Sequence, residues 1–239
     1  PVELTVIDDK SAPDQSVIGF KSLASKNVVG VIGSLFSNSA VATFPLAEAA
    51  KVPYIGAAVA DEQIDPVKDY VFIASIPMRP VSEAILKYLA SEKLTKVAVV
   101  YDSKNAFSLS GWKHMQALGP ALGIEFVMDE PIASNASDFN SVFVRMRSKP
   151  ADAVMFWGIG AGAIAFTKQY AASGIKAPLV MSTALYPNLG FDPIKDLQPV
   201  SLVSQGTLML VVLIFLITNI IVDASYAFLD PRVKLERAR

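Results

Sequence analysis

The sequence predicts an α/β protein built on parallel sheets, and three observations carry the prediction. Strand-like and helical runs alternate from the start of the chain to about residue 184, the pattern of strands joined by crossover helices. The run Val28-Val29-Gly30-Val31-Ile32 is apolar at successive positions, as in a parallel strand covered on both faces. A hydroxyl-rich elbow follows it, Gly33-Ser34-Leu35-Phe36-Ser37-Asn38-Ser39, and leads into an apolar helix over 40–50. The next strand, Val52-Pro53-Tyr54-Ile55, stops at Gly56-Ala57-Ala58-Val59-Ala60. Ligands of open α/β sheets bind beyond the carboxyl ends of the strands. Two neighbouring strand ends here offer small residues, amides and hydroxyls with no strong acid or base. Such a place holds a small molecule rather than breaking it.

The remaining elements fall in order around that unit. A strand over 2–7 opens the chain; no export leader is legible ahead of it, and one is expected to have been removed. Ser11-Ala12-Pro13-Asp14 starts a helix with an early proline, which turns Val17, Ile18, Phe20 and Leu23 inward. After a short strand over 70–73, Ser75-Ile76-Pro77-Met78-Arg79-Pro80 is proline-dense and predicted to be an extended crossover between lobes. Helices over 81–92, 109–122, 138–147 and 161–172 then alternate with strands over 96–101, 125–128, 153–157 and 179–181. The expected organisation is a partial first lobe over 1–75, a second lobe over 76–185 with a four-stranded parallel sheet, a linker over 186–206, and an apolar tail over 207–239.

Composition excludes several classes. Lys+Arg 21 against Asp+Glu 22 gives a net charge of -1, so no basic footprint points to nucleic acid. With no cysteine and a single histidine, His114, neither a thiolate metal site nor a Ser-His-Asp triad is expected, and His114 reads as a helix-surface residue. The paired acids Asp8-Asp9 and Asp61-Glu62 read as solvated turn residues. No cofactor is called for. The tail is different in kind: residues 208–222 carry no charge, and a helix over 208–229 would be about 33 Å long, against a hydrocarbon core of about 30 Å. The basic end over 232–239 then reads as a cytoplasmic flank.

Ser37, Asn38 and Ser39 precede a helix, so they either cap it or, with its free amides, surround an anion. Gly158-Ile159-Gly160-Ala161-Gly162-Ala163 fits the loose dinucleotide pattern after a strand, the basis of an alternative reading as an NAD(P)-dependent oxidoreductase. That reading needs an acid about 20 residues on, and there is no Asp or Glu between Ala153 and Phe191.

Residues 1–185 resemble the leucine/isoleucine/valine type of periplasmic binding protein, the solute receptors of ABC importers. The ordered set of segments carries the resemblance: Glu3-Leu4-Thr5-Val6-Ile7-Asp8-Asp9 with Pro13-Asp14-Gln15, Val31-Ile32-Gly33-Ser34, Val52-Pro53-Tyr54-Ile55, Lys96-Val97-Ala98-Val99-Val100-Tyr101-Asp102, Asp138-Phe139 and Pro150-Ala151-Asp152-Ala153-Val154. The resemblance implies a two-lobed, non-enzymatic fold that closes on a small polar ligand, a periplasmic location and an ABC permease as partner. It also implies that Ser37 and the loop Ala58-Val59-Ala60 grip the ligand head group, and that Phe107 covers it from the second lobe beside the Gly158–Gly160 turn. Where the family has an acid and an aromatic, this chain has Ala184 and Gly160, which disfavours a ligand ammonium. The family's first strand and helix would precede Pro1, with that strand between 2–7 and 28–32, so the first lobe is expected to be incomplete. The stretch over 186–212 resembles tripartite tricarboxylate transporter receptors, and 213–239 the last helix of dipeptide-type ABC permeases. These pieces leave open a chimeric fusion product that binds nothing, and the tail implies inner-membrane anchoring.

Overall fold

A computed structural model describes residues 3–181; the calls on the linker, Ala184 and the apolar tail lie outside them. Two parallel sheets organise the described chain. In the first lobe, β1 (Val31–Ile32), β2 (Tyr54–Gly56) and β3 (Val71–Ile73) pair in the order β1-β2-β3. Helices α1 (Pro13–Ala24) and α2 (Ser37–Ala50) pack on each other and on one face of this sheet. Its core is small: Phe20, Val31, Phe44, Tyr54 and Val71, with the Tyr54 ring edge-on to Phe44 at 5.7 Å between centroids. The opposite face alternates outward as period-two geometry requires. There Ile32 is 80% exposed, Ile55 43% and Phe72 52%.

The strand expected over 2–7 does not form. Residues 3–9 make no ladder, and Leu4 and Val6 are each 79% exposed. Likewise the strand expected over 28–32 contracts to Val31–Ile32. The reason is common to both: an apolar run becomes a strand only where neighbours satisfy its backbone. Between the 7–9 segment and β1 lies a cavity of about 270 Å³, lined among others by Ile7, Asp9, Ser16, Val31, Ser34 and Tyr54. Asp9 anchors its rim, accepting bonds from the Ser16 hydroxyl (2.6 Å) and the Ser11 amide (2.9 Å). Burial pushes its carboxyl up, but these bonds and one from the Ser34 side chain outweigh that and hold it below the ordinary value.

The link between lobes is shorter than expected. Helix α3 (Met78–Ser91) begins inside the proline-dense segment, with Pro77 at its N-cap and Pro80 in its first turn. A proline there forfeits no bond, since the first amides of a helix lack intrahelical partners.

The second lobe pairs four parallel strands in the order β5-β4-β6-β7: β4 (Lys96–Asp102), β5 (Glu125–Ile132), β6 (Ala153–Trp157) and β7 (Leu179–Met181). Helices α5 (Asn140–Ser148) and α6 (Gly160–Ala172) cover one face, where Phe139, Phe143, Phe156 and Phe166 form an aromatic cluster. Phe156 and Phe166 stack at 4.1 Å. On the other face α4 (Ala106–Leu118) lies against β4 and β6, with α3 beside it. The Trp157 indole N–H donates to Met115 Sδ there at 3.0 Å. Every residue of β6 is buried, the mark of a strand covered on both sides.

Candidate functional site

The strand ends of the first lobe meet the start of α4 from the second. Ser37 opens the first turn of α2 and is buried, yet it does not cap the helix: the N-cap position is Phe36, with no side-chain bond. Ser39 does not cap it either. Its hydroxyl is wholly buried and has no partner among the described residues. Upstream, Ser34 Oγ accepts from the Phe36 amide at 3.2 Å, and the Ser34 amide donates to the Tyr54 hydroxyl at 2.9 Å. Gly33 makes that approach possible, since a Cβ there would fall 1.7 Å from the Tyr54 ring. Burial pushes the Tyr54 hydroxyl pKa up, so it stays a neutral donor and acceptor. The first helical bond of α2 runs from Ala40 to the Phe36 carbonyl. The amides of residues 37–39 have no partner among the described residues, and the helix start is electropositive.

The second strand-end loop is fixed by a residue that the sequence reading passed over. Gln63, buried in a single 3-10 turn (Asp61–Gln63), donates its side-chain amide to the Ala58 carbonyl, and its backbone N–H bonds the Ala60 carbonyl at 3.2 Å. Ser75 Oγ also donates to the Ala58 carbonyl. Ala58 and Ala60 are buried and Val59 is half-buried. The carbonyls of Ala58 and Ala60 are thus both engaged within the first lobe. A Cβ at position 56 would sit 2.2 Å from Gln63 Oε1, so a larger residue there would displace the end of the Gln63 side chain. No pattern in the sequence marked Gln63 for this role.

From the second lobe, Phe107 is buried, edge-on to Trp157 at 5.6 Å. Asn105 caps α4 through a bond from the Ser108 amide at 3.1 Å, and Asp102 Oδ1 accepts from the Lys104 amide and the Ser134 hydroxyl at 3.0 and 2.9 Å. At the next strand end, Gly160 opens α6 with φ of +62°, a left-handed conformation that glycine adopts without strain. A Cβ on Gly158 would meet the Phe156 ring at 2.4 Å. Both glycines are thus required by local geometry, whatever else they touch.

His114, read as a helix-surface residue, and Asn38, read as a cap or part of an anion site, both prove to be junction residues. His114 does not face solvent alone: its Nε2 lies 2.7 Å from Asp61 Oδ2, off the axis of an aligned hydrogen bond. Asn38 bridges the lobes, its Oδ1 accepting from the Ala106 amide at 2.7 Å and its Nδ2 donating to the Lys104 carbonyl at 3.2 Å. Neither acid pairs nor His/acid groups build a metal centre among the described residues.

Two parallel sheets, with hydroxyls and amides at the strand ends of the first and the start of α4 beside them, are the frame in which the chain can be compared with known proteins. The chain belongs to the periplasmic binding protein family, whose model matches residues 1–203. That match continues past residue 185, through part of the stretch read as another receptor type. The chain is 27% identical over 169 residues to "Leu/Ile/Val-binding protein homolog 7" of Brucella abortus (strain 2308), an alignment covering 66% of this chain and 42% of that protein. It resembles the R. palustris ABC-transporter solute binding protein in complex with benzoate, with 26% identity and a TM-score of 0.68, covering 75% of this chain and 51% of that one. It shares its fold with the branched-chain amino acid transporter substrate binding protein of Streptococcus pneumoniae in complex with isoleucine, at 24% identity and a TM-score of 0.71, over 80% of this chain and 55% of that one. The chain therefore spans about half the length of such proteins or less. Nothing in these comparisons supports the dinucleotide reading or the resemblances drawn for the tail. Among the described residues, no helix is long and apolar enough to cross a membrane.

Proposed function

We propose that this chain supplies the ligand-holding strand ends of an ABC-type import receptor in the periplasm, and that its ligand is a small carboxylate or amide without an ammonium group. The observation that carries this is the start of α2. Its amides at 37–39 have no partner among the described residues, and the Ser39 hydroxyl beside them is buried and unbonded. Helix N-termini of this kind attract anions, and a buried hydroxyl left unpaired costs about 1–3 kcal/mol until something bonds it. Ser37, Ser39 and the amides of Ala58, Val59 and Ala60 form the head-group side, while Phe107 and the Gly158–Gly160 turn form the opposite wall. Benzoate and isoleucine in the two related complexes both carry a carboxylate. Of the two, benzoate suits a chain with Ala184 and Gly160 in place of an acid and an aromatic, because a dry ammonium would go unpaired. An ABC permease is the partner in this reading. Residues 208–229, apolar along most of their length, serve as an inner-membrane anchor, to be tested by whether a chain lacking 207–239 leaves the membrane fraction.

Titration calorimetry with benzoate, benzamide and isoleucine tests the ligand side. Benzoate is expected to bind, and Ser37→Ala to weaken it by about 1.5–3 kcal/mol, the worth of a bond to a charged group. Ser39→Ala should weaken binding while leaving the free protein as stable or more so, because its hydroxyl makes no bond there. Heat only with isoleucine, or equal affinities for wild type and both variants, would overturn the assignment.

A further inference from the structure

One stripe of α4 carries polar contacts between the two lobes. Residues 106, 110 and 114 recur every four positions and so share a helix face. At the first, the Ala106 amide donates to Asn38 Oδ1 at 2.7 Å. At the second, the Ser110 hydroxyl donates to Asp61 Oδ2. At the third, His114 Nε2 approaches the same carboxylate oxygen at 2.7 Å. The partners in the first lobe flank the proposed head-group side: Asn38 stands between Ser37 and Ser39, and Asp61 follows Ala60. Helix α2, whose start has no side-chain cap, also packs against α4.

We propose that Asp61, with Ser110 and His114, and Asn38, with the Ala106 amide, form a latch that holds the lobes together in the absence of ligand and thereby sets how tightly ligand binds. The physical reason is linkage. A receptor that must close on its ligand binds with an affinity scaled by the fraction already in the competent form. A carboxylate that takes a hydroxyl bond and an imidazole contact from the other lobe favours that form before any ligand arrives. Both latch points are polar and partly exposed, with Asp61 31% and His114 19% exposed at the side chain. Water can therefore replace each contact when the lobes part, which makes it reversible where an apolar seal would not be.

The proposal rests on the two-lobe capture reading but is tested without ligand, so the two can fail separately. The chain has no cysteine, which permits clean spin-labelling at Lys26→Cys in the first lobe and Lys168→Cys in the second, both exposed. Dipolar distance measurement on the full chain should give one dominant inter-lobe distance. Asp61→Ala should raise the population at other distances roughly tenfold, as expected for losing one charged hydrogen bond. His114→Ala should shift the distribution in the same direction but by less, since its Nε2 only approaches the carboxylate, and Lys113→Ala, the neighbour outside the stripe, should change nothing. If Asp61→Ala does not fold, Ser110→Ala and Asn38→Ala carry the same expectation. Identical distance distributions in the wild type and in every folded latch variant would overturn the latch. Isothermal titration of Asp61→Ala with benzoate then reads the linkage: weaker binding is expected, and unchanged affinity with an altered distance distribution would refute the link to affinity.

Discussion

The two lobes are built from the same parts list and reach different degrees of completion. The first has strands of two, three and three residues, helices on one face and Ile32, Ile55 and Phe72 on the bare side. The second has strands of seven, eight, five and three residues and helices on both faces. The difference teaches what a parallel sheet needs. A strand pairs in the middle only when both neighbours exist, and its side chains are buried only when both layers exist. In the second lobe every layer is present, so Val97 to Val100 are all buried. In the first, the cavity beside β1 and the open face leave short strands and exposed apolar residues.

The sharpest way to probe this contrast is to remove the centre of the well-covered core. Phe166 lies within 4.1–5.9 Å, centroid to centroid, of Phe139, Phe143, Phe156 and Tyr170. Phe166→Ala should cost about 3–5 kcal/mol in denaturant unfolding, through lost burial plus the cavity left behind. A loss under about 1 kcal/mol would mean that this core is loosely packed and the contrast overstated.

Hydrogen exchange compares the lobes directly. Amides of β4 and β6 should exchange at least about 100-fold more slowly than those of β1, β2 and β3, since sparse burial lowers the local opening energy. Equal protection would show that the first lobe is covered in solution by something that supplies its missing layer.

The smallest expected effect is the most discriminating. Ile32→Ser replaces an apolar side chain on the bare face and should change stability by no more than about 0.5 kcal/mol, as at other exposed sites. Destabilisation above about 1 kcal/mol would show that this face is buried in the working protein.

Much of this was legible in the chain. The alternation of elements fixed the α/β class, and β6 and β7 fall at the positions read for them, because a short apolar run between turn signals has few other fates. The loop Ala58-Val59-Ala60 and the serines after β1 were recognisable as strand ends. Their support was not. Gln63 lies on a single turn with no periodicity, and its role comes from a carbonyl five residues back that only folding brings within reach. The segment over 2–7 misled for the opposite reason: its pattern suits a strand, but a strand is a relation between chains of backbone and not a property of one.

By itself, then, the sequence determined the class of fold, the parallel order of elements, the absence of thiol chemistry and the small, hydroxyl-bearing character of the strand ends. These depend on composition and on contacts local in the chain. Only the tertiary structure decided that Ser37 and Ser39 leave their helix uncapped, that Asn38 spends its side chain on the other lobe, and that His114 meets Asp61. Each joins residues from 53 to 68 positions apart or depends on which groups such contacts leave unbonded. Local pattern carries no record of distances of that kind; they are set when layers pack and bring remote backbone and side-chain groups within hydrogen-bond reach.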